Sequence, residues 1–163
     1  MFRIEIIEKF RQVPTPFYYY DLDLLNATIG SCLLEASREG FQLHYALKAN
    51  SNPKILRIIS SAGFGADCVS GNEVQAAIDH GFPSHQIVFA GVGKTDNELR
   101  LALRHGIQSI NVESIQEMEV INELASAMDL KARISLRIIP NVDAHTHRYI
   151  TTGLEENKFG ILP

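Results

Sequence analysis

The sequence predicts an α/β fold built on a parallel sheet. Three observations carry this. First, β-type apolar runs alternate with helical periodicity at a spacing of roughly twenty-odd residues, the length of a compact strand–helix unit. Second, glycine closes four of the predicted helices, at Gly40, Gly63, Gly81 and Gly106, where a left-handed C-terminal residue is favoured. Third, Ser70-x-x-Glu73, Thr95-x-x-Glu98 and Ser114-x-x-Glu117 each match a capping box. In that device the hydroxyl accepts a free backbone N–H and the glutamate reaches back to the cap.

The elements follow in order. Residues 1 to about 15 form a mixed lead-in with room for a short helix, ending at Pro14-Thr15-Pro16. Phe17-Tyr18-Tyr19-Tyr20 reads as a β-type run cut off by Asp21. Leu24, Leu25, Ile29, Leu33 and Ala36 recur at helical spacing and predict a helix over about 24–38. Strand 43–48 then leads to a helix from Pro53, a residue suited to the first helical position because its missing N–H has no partner there anyway. Strand 65–69 leads to helix 71–80, strand 86–90 to helix 96–105, and strand 108–112 to helix 115–128. Strand 132–139 ends at Pro140.

Such alternation closes either as an open doubly wound sheet or as an eight-stranded barrel. No G-x-G-x-x-G follows the first strand, which argues against a dinucleotide-binding open sheet. Five units make an incomplete barrel, with unpaired edges and an uncovered interior. The barrel reading therefore carries the expectation that this is the N-terminal piece of something longer.

Composition narrows the function. The 163 residues are 45% hydrophobic and 21% charged, values of an ordinary globular chain. A net charge of −4 gives no electrostatic reason to expect nucleic acid or an acidic membrane as partner. Cys32 and Cys68 form no C-x-x-C pair and read as reduced residues, and no leader or membrane-length apolar run is present, so a cytoplasmic location is expected.

Ligands bind at the carboxyl ends of parallel strands. Those ends carry Lys48 and Asn50, then Asp67, Ser70 and Gly71, then Gly91, Gly93 and Lys94, then Asn111, Glu113 and Ser114, and finally Arg137. A lone lysine at a strand end is more often a snorkelling residue than a reactive one, and Ser70, Glu73 and Ser114 have a sufficient role as caps. Charges inside apolar strands on several neighbours are another matter, and together they point to a site. Burial of Lys48 would disfavour its ammonium and free the amine to attack a carbonyl. Asp143, His145 and His147 have short spacing in a loop and lack a clear further ligand, so no metal site is expected.

Several stretches resemble one superfamily. Tyr45-Ala46-Leu47-Lys48-Ala49-Asn50 resembles the lysine motif of the barrel-fold pyridoxal-phosphate decarboxylases and alanine racemases. Gly65 to Glu73, Ile110 to Ser114 and Leu136-Arg137-Ile138 look like the second, fourth and fifth strand motifs of the same group. The loop 140–147, with 149–153 and 157–161, is similar to the diaminopimelate decarboxylase branch. Asn72 departs from the pattern, standing where many members have a second glycine.

The resemblance implies the N-terminal part of a (β/α)8 barrel holding about five strand–helix units, preceded by a short strand and helix. Residues 1–22 would be a lead-in whose strand joins a C-terminal β-domain, and 23–163 the first half of the barrel. It implies that Lys48 holds pyridoxal 5'-phosphate as an internal Schiff base, that Asp67 and Arg137 line the cofactor pocket, and that Ser70 and Glu73 lie at its margin. The reaction implied is decarboxylation of meso-2,6-diaminopimelate, a small-molecule amino acid, to L-lysine by a homodimer. The phosphate-binding loop is expected beyond Pro163, so residues 1–163 alone are expected to hold the cofactor weakly and to be inactive. Competing readings are an ornithine or arginine decarboxylase, an alanine racemase, a non-catalytic homologue that binds a partner, and a generic α/β domain with a structural lysine.

Overall fold

A computed structural model describes residues 4–139 and 160–161. Of the loop expected over 141–163, all but residues 160–161, and with it Asp143, His145 and His147, lies outside the described residues. Two compact units divide the chain, Met1–Glu35 and Ala36–Pro163.

The first unit holds α1 (Ile4–Phe10) and most of α2 (Leu22–Glu39). The short helix allowed for in the lead-in is therefore present. The Asp21 carboxylate accepts the Leu24 N–H at 3.0 Å, which caps the start of α2. Phe17–Tyr20 pair with no strand among the described residues. Their rings make a local cluster instead: Phe10 lies 5.3 Å from Phe17 and 5.0 Å from Tyr19, and Tyr18 stacks on Tyr20 at 6.5 Å. The division between the two compact units falls within α2. Between Leu22 and Glu35 only Ile29 is buried, so little ties that stretch to a core.

In the second unit β1 (His44–Ala46), β2 (Gly65–Cys68), β3 (Ile87–Phe89), β4 (Ser109–Val112) and β5 (Ile134–Leu136) alternate with α3 (Pro53–Ser61), α4 (Gly71–Asp79), α5 (Asp96–His105) and α6 (Ile115–Ala127). The strands are parallel and lie in the order β1-β2-β3-β4-β5. A doubly wound sheet reverses its strand order at a switch point; a barrel adds each strand beside the last. The unbroken order is that of a barrel's first five strands.

Alternation along the strands sets the core. Ala66, Cys68, Ile87, Phe89, Ile110 and Val112 are at most 1% exposed, and helix residues Leu56, Val74, Ala77, Leu99, Ala102 and Ile121 share that burial. The intervening Asp67, Val88 and Asn111 remain half-buried, so the sheet's other face is the wetter one. Gly65 is a glycine for space: a Cβ there would sit 2.4 Å from the His44 ring and 2.5 Å from the Gln86 carbonyl. The His44 ring is thereby free to meet Gln108 Oε1 at 3.0 Å.

The helix boundaries agree with the sequence to within a residue or two, and Gly106 closes α5 at φ 56° as a left-handed cap. The strands are shorter than expected. Strand 43–48 reduces to His44–Ala46, and Leu47–Ala49 form a 3₁₀ turn. Local hydrogen bonds take over from the ladder: Tyr45 Oη donates to the Asn50 carbonyl, Asn50 Oδ1 accepts the Asn52 N–H, and Asn52 Oδ1 accepts the Lys54 N–H. Strand 132–139 likewise reduces to Ile134–Leu136, with a separate bridge between Ile138 and Ile161.

Candidate active site

The three charged residues singled out in the sequence all come to the carboxyl edge of the sheet. Ala46 pairs with Asp67, so Asp67 stands beside the last residue of β1, two positions before Lys48. Arg137 follows β5 directly, and its N–H donates to the Val112 carbonyl at 3.0 Å. Lys48 is exposed. Within the turn the buried position goes to Leu47, which is fully enclosed and anchors the backbone on which the lysine stands.

Ser70 and Glu73 act locally. Ser70 Oγ accepts the Glu73 N–H at 3.3 Å at the start of α4, and Glu73 Oε2 accepts the Val69 N–H at 2.8 Å. Ser114 and Glu117 repeat the arrangement on α6, where Glu117 reaches the Glu113 N–H at 2.7 Å. Only Thr95 and Glu98 form the full reciprocal box. Ser70 and Ser114 have φ near −150°, against −85° at Thr95. The more extended cap goes with the carboxylate taking the N–H of the preceding residue.

Glu98 also ties α5 to α4. Its Oε1 accepts the Gly71 N–H at 2.6 Å, and a Cβ on residue 71 would lie 2.5 Å from Glu98 Cγ. Glycine is what allows the first turn of α4 to close on this carboxylate. The Thr95 and Gly71 N–H groups hold the Glu98 carboxyl below the usual glutamate range. Burial, aided by the Glu73 and Asp67 charges, pushes the Cys68 thiol up to about 12, so it is no nucleophile.

A polar network spans the ends of β3, β4 and β5. The Lys94 ammonium donates to the Gly91 carbonyl at 2.6 Å, the Asn111 carbonyl at 2.8 Å and Glu117 Oε1 at 2.7 Å. Its three protons thus have three acceptors, in a side chain only 1% exposed. Glu113 Oε1 accepts the Gly91 N–H at 3.2 Å, and both Glu113 oxygens lie 3.4 Å from Arg137 Nη1. Beside them is a cleft of about 280 Å³ lined by Ala90, Asn111, Glu113, Ser135, Leu136 and Arg137. Sequence reasoning placed Lys94 and Glu113 at strand ends but gave Glu117 only its cap. The available signal was a lysine after a Gly-x-Gly turn, facing a carboxylate a full strand–helix unit later. Among the described residues there is no cluster able to hold a metal and no helix long and apolar enough to cross a membrane.

The sequence and the barrel segment match one known class. Residues 32–163 match the pyridoxal-dependent decarboxylase, pyridoxal binding domain, and the chain belongs to that family. Within it, the chain is 56% identical over 156 residues to diaminopimelate decarboxylase of Bacteroides thetaiotaomicron, covering 95% of this chain and 40% of that protein. Among solved structures, diaminopimelate decarboxylase from Helicobacter pylori complexed with L-lysine superposes with a TM-score of 0.84 at 46% identity, over 96% of this chain and 40% of that one. The M. jannaschii diaminopimelate decarboxylase in co-complex with L-lysine gives 0.86 at 36% identity, over 96% and 38%. The chain thus spans about two fifths of the length of the relatives it matches.

Proposed function

We propose that the full-length gene product is a pyridoxal-phosphate-dependent decarboxylase that converts meso-2,6-diaminopimelate to L-lysine. The observation that carries this is Lys48, an exposed amine on a buried backbone anchor just past the carboxyl end of β1, with Asp67 paired to Ala46 two positions before it. The residues present fit the cofactor. Lys48 offers an accessible amine for covalent attachment to an aldehyde carbon. Asp67 supplies an anion and Arg137 a cation at the same edge, next to the cleft. Ser70 and Glu73 would support the pocket margin from the first turn of α4.

Pyridoxal phosphate, when bound, supplies the electron sink that decarboxylation requires. The chain's own part is to hold and orient. Leu47 fixes where the amine emerges, and the Gly91–Glu113–Arg137 contacts fix the guanidinium. The substrate reading is supported by the two lysine-complexed relatives. A homodimer in the cytoplasm is part of the proposal.

The test is direct. The full-length protein is incubated with pyridoxal phosphate, reduced with borohydride and mapped by peptide mass. A single stable adduct at Lys48 is expected, together with L-lysine release from diaminopimelate and none of the corresponding amines from ornithine or arginine. An adduct elsewhere, or turnover of ornithine instead, overturns the reading.

A further inference from the structure

We propose that Glu113 is a positioning residue for Arg137, locked in place by the Lys94–Glu117 ion pair. The proposal rests on the reading above for what Arg137 faces, but its geometry stands by itself. Glu113 is a carboxylate with only 4% of its side chain exposed, at the mouth of a sheet whose core avoids charge. It caps nothing; the α6 cap belongs to Ser114 and Glu117. Instead it faces two strands at once. On one side it accepts the Gly91 N–H from the turn after β3; on the other it meets the Arg137 guanidinium after β5. Arg137 is itself 38% exposed, so solvent alone would leave that long side chain many rotamers. The carboxylate selects among them.

Glu113 is in turn held at its backbone. Its N–H donates to Glu117 Oε2, and the other Glu117 oxygen takes the buried Lys94 ammonium. Lys94 also grips the carbonyls of Gly91, whose N–H Glu113 accepts, and of Asn111, two residues before Glu113. Two ion pairs, Lys94 with Glu117 and Arg137 with Glu113, are therefore joined through the Glu113 backbone N–H across three strand ends. A rigid support of this kind is what keeps a site group within its working geometry.

The test compares full-length wild type with Glu113→Gln and Glu113→Asp. The first removes the charge at constant size; the second keeps the charge but shortens its reach. Three readouts are used: the urea midpoint, the dissociation constant for pyridoxal phosphate, and the phenylglyoxal modification rate of Arg137 measured by peptide mapping. For Glu113→Gln a dissociation constant about tenfold higher and a several-fold faster Arg137 modification are expected, with a urea midpoint close to wild type. Glu113→Asp should fall between. Wild-type rates and affinity in Glu113→Gln overturn the proposal. So does a loss in both variants that only tracks the fraction unfolded, because a purely structural role predicts that. If wild type forms no Lys48 adduct, it is the cofactor reading that fails, and the Arg137 modification rate still decides the positioning claim.

Discussion

Lys94→Met should cost about 5 kcal/mol of stability. Wild type pairs a desolvated ammonium with a carboxylate that is 14% exposed and with two backbone carbonyls. Methionine fills the space and keeps a favourable contact with the Phe89 ring, over which Nζ now lies at 5.7 Å. It offers no donor. Breaking a buried pair by removing one partner costs about 3–5 kcal/mol, because the remaining charge is left uncompensated. Each orphaned carbonyl adds about 1 kcal/mol or more unless water reaches it. Two features pull the sum to the lower end: Glu117 keeps the Glu113 N–H, and its partial exposure admits water. Urea unfolding of the full-length protein at unchanged m reads the loss as a lower midpoint. Lys94→Met/Glu117→Gln should regain about 1–2 kcal/mol, since the stranded charge is gone. A single variant within about 1 kcal/mol of wild type, or strictly additive effects in the double, would refute the reasoning.

Two further predictions concern pH. Glu98 has its carboxyl value lowered by the Thr95 and Gly71 N–H groups, so between the lowered and the ordinary value the unfolded chain binds more protons. Its contribution is therefore present above the ordinary glutamate range and lost as pH falls through the lowered value. Glu98→Gln should flatten the acid limb of urea midpoints measured from about pH 5.5 to about pH 3; an unchanged slope would discount those bonds. The Cys68 thiol, raised to about 12, gives the opposite sign: stability holds below the unfolded thiol value and declines as pH rises through about 12. At about pH 8 a thiol reagent should label exposed Cys32 and leave buried Cys68 until urea is added. Equal native rates would contradict the burial.

Helices and their ends were legible in the sequence, because the signals are local. A cap, a periodic face and a glycine stop act over about ten residues, and α3 to α6 begin where Asn52, Ser70, Thr95 and Ser114 accept their N–H bonds. Lys48, Asp67 and Arg137 stand out in the sequence as charges in or beside apolar runs, and the structure brings all three to the carboxyl edge of the sheet. Where each strand stops was not legible, because a ladder ends when its neighbour's pairing does, and that neighbour is about twenty residues away. The strand expected over 43–48 shows this: β1 ends at Ala46, and the turn gives the enclosed position to Leu47.

The sequence by itself determined the repeating strand–helix unit and where its helices start and stop. Only the tertiary structure decided the strand order that makes a barrel, and which charges meet. Lys94 with Glu117, and Glu113 with Arg137, are more than twenty residues apart in sequence. They meet because parallel strands in register bring their carboxyl ends to one edge, which no local periodicity encodes.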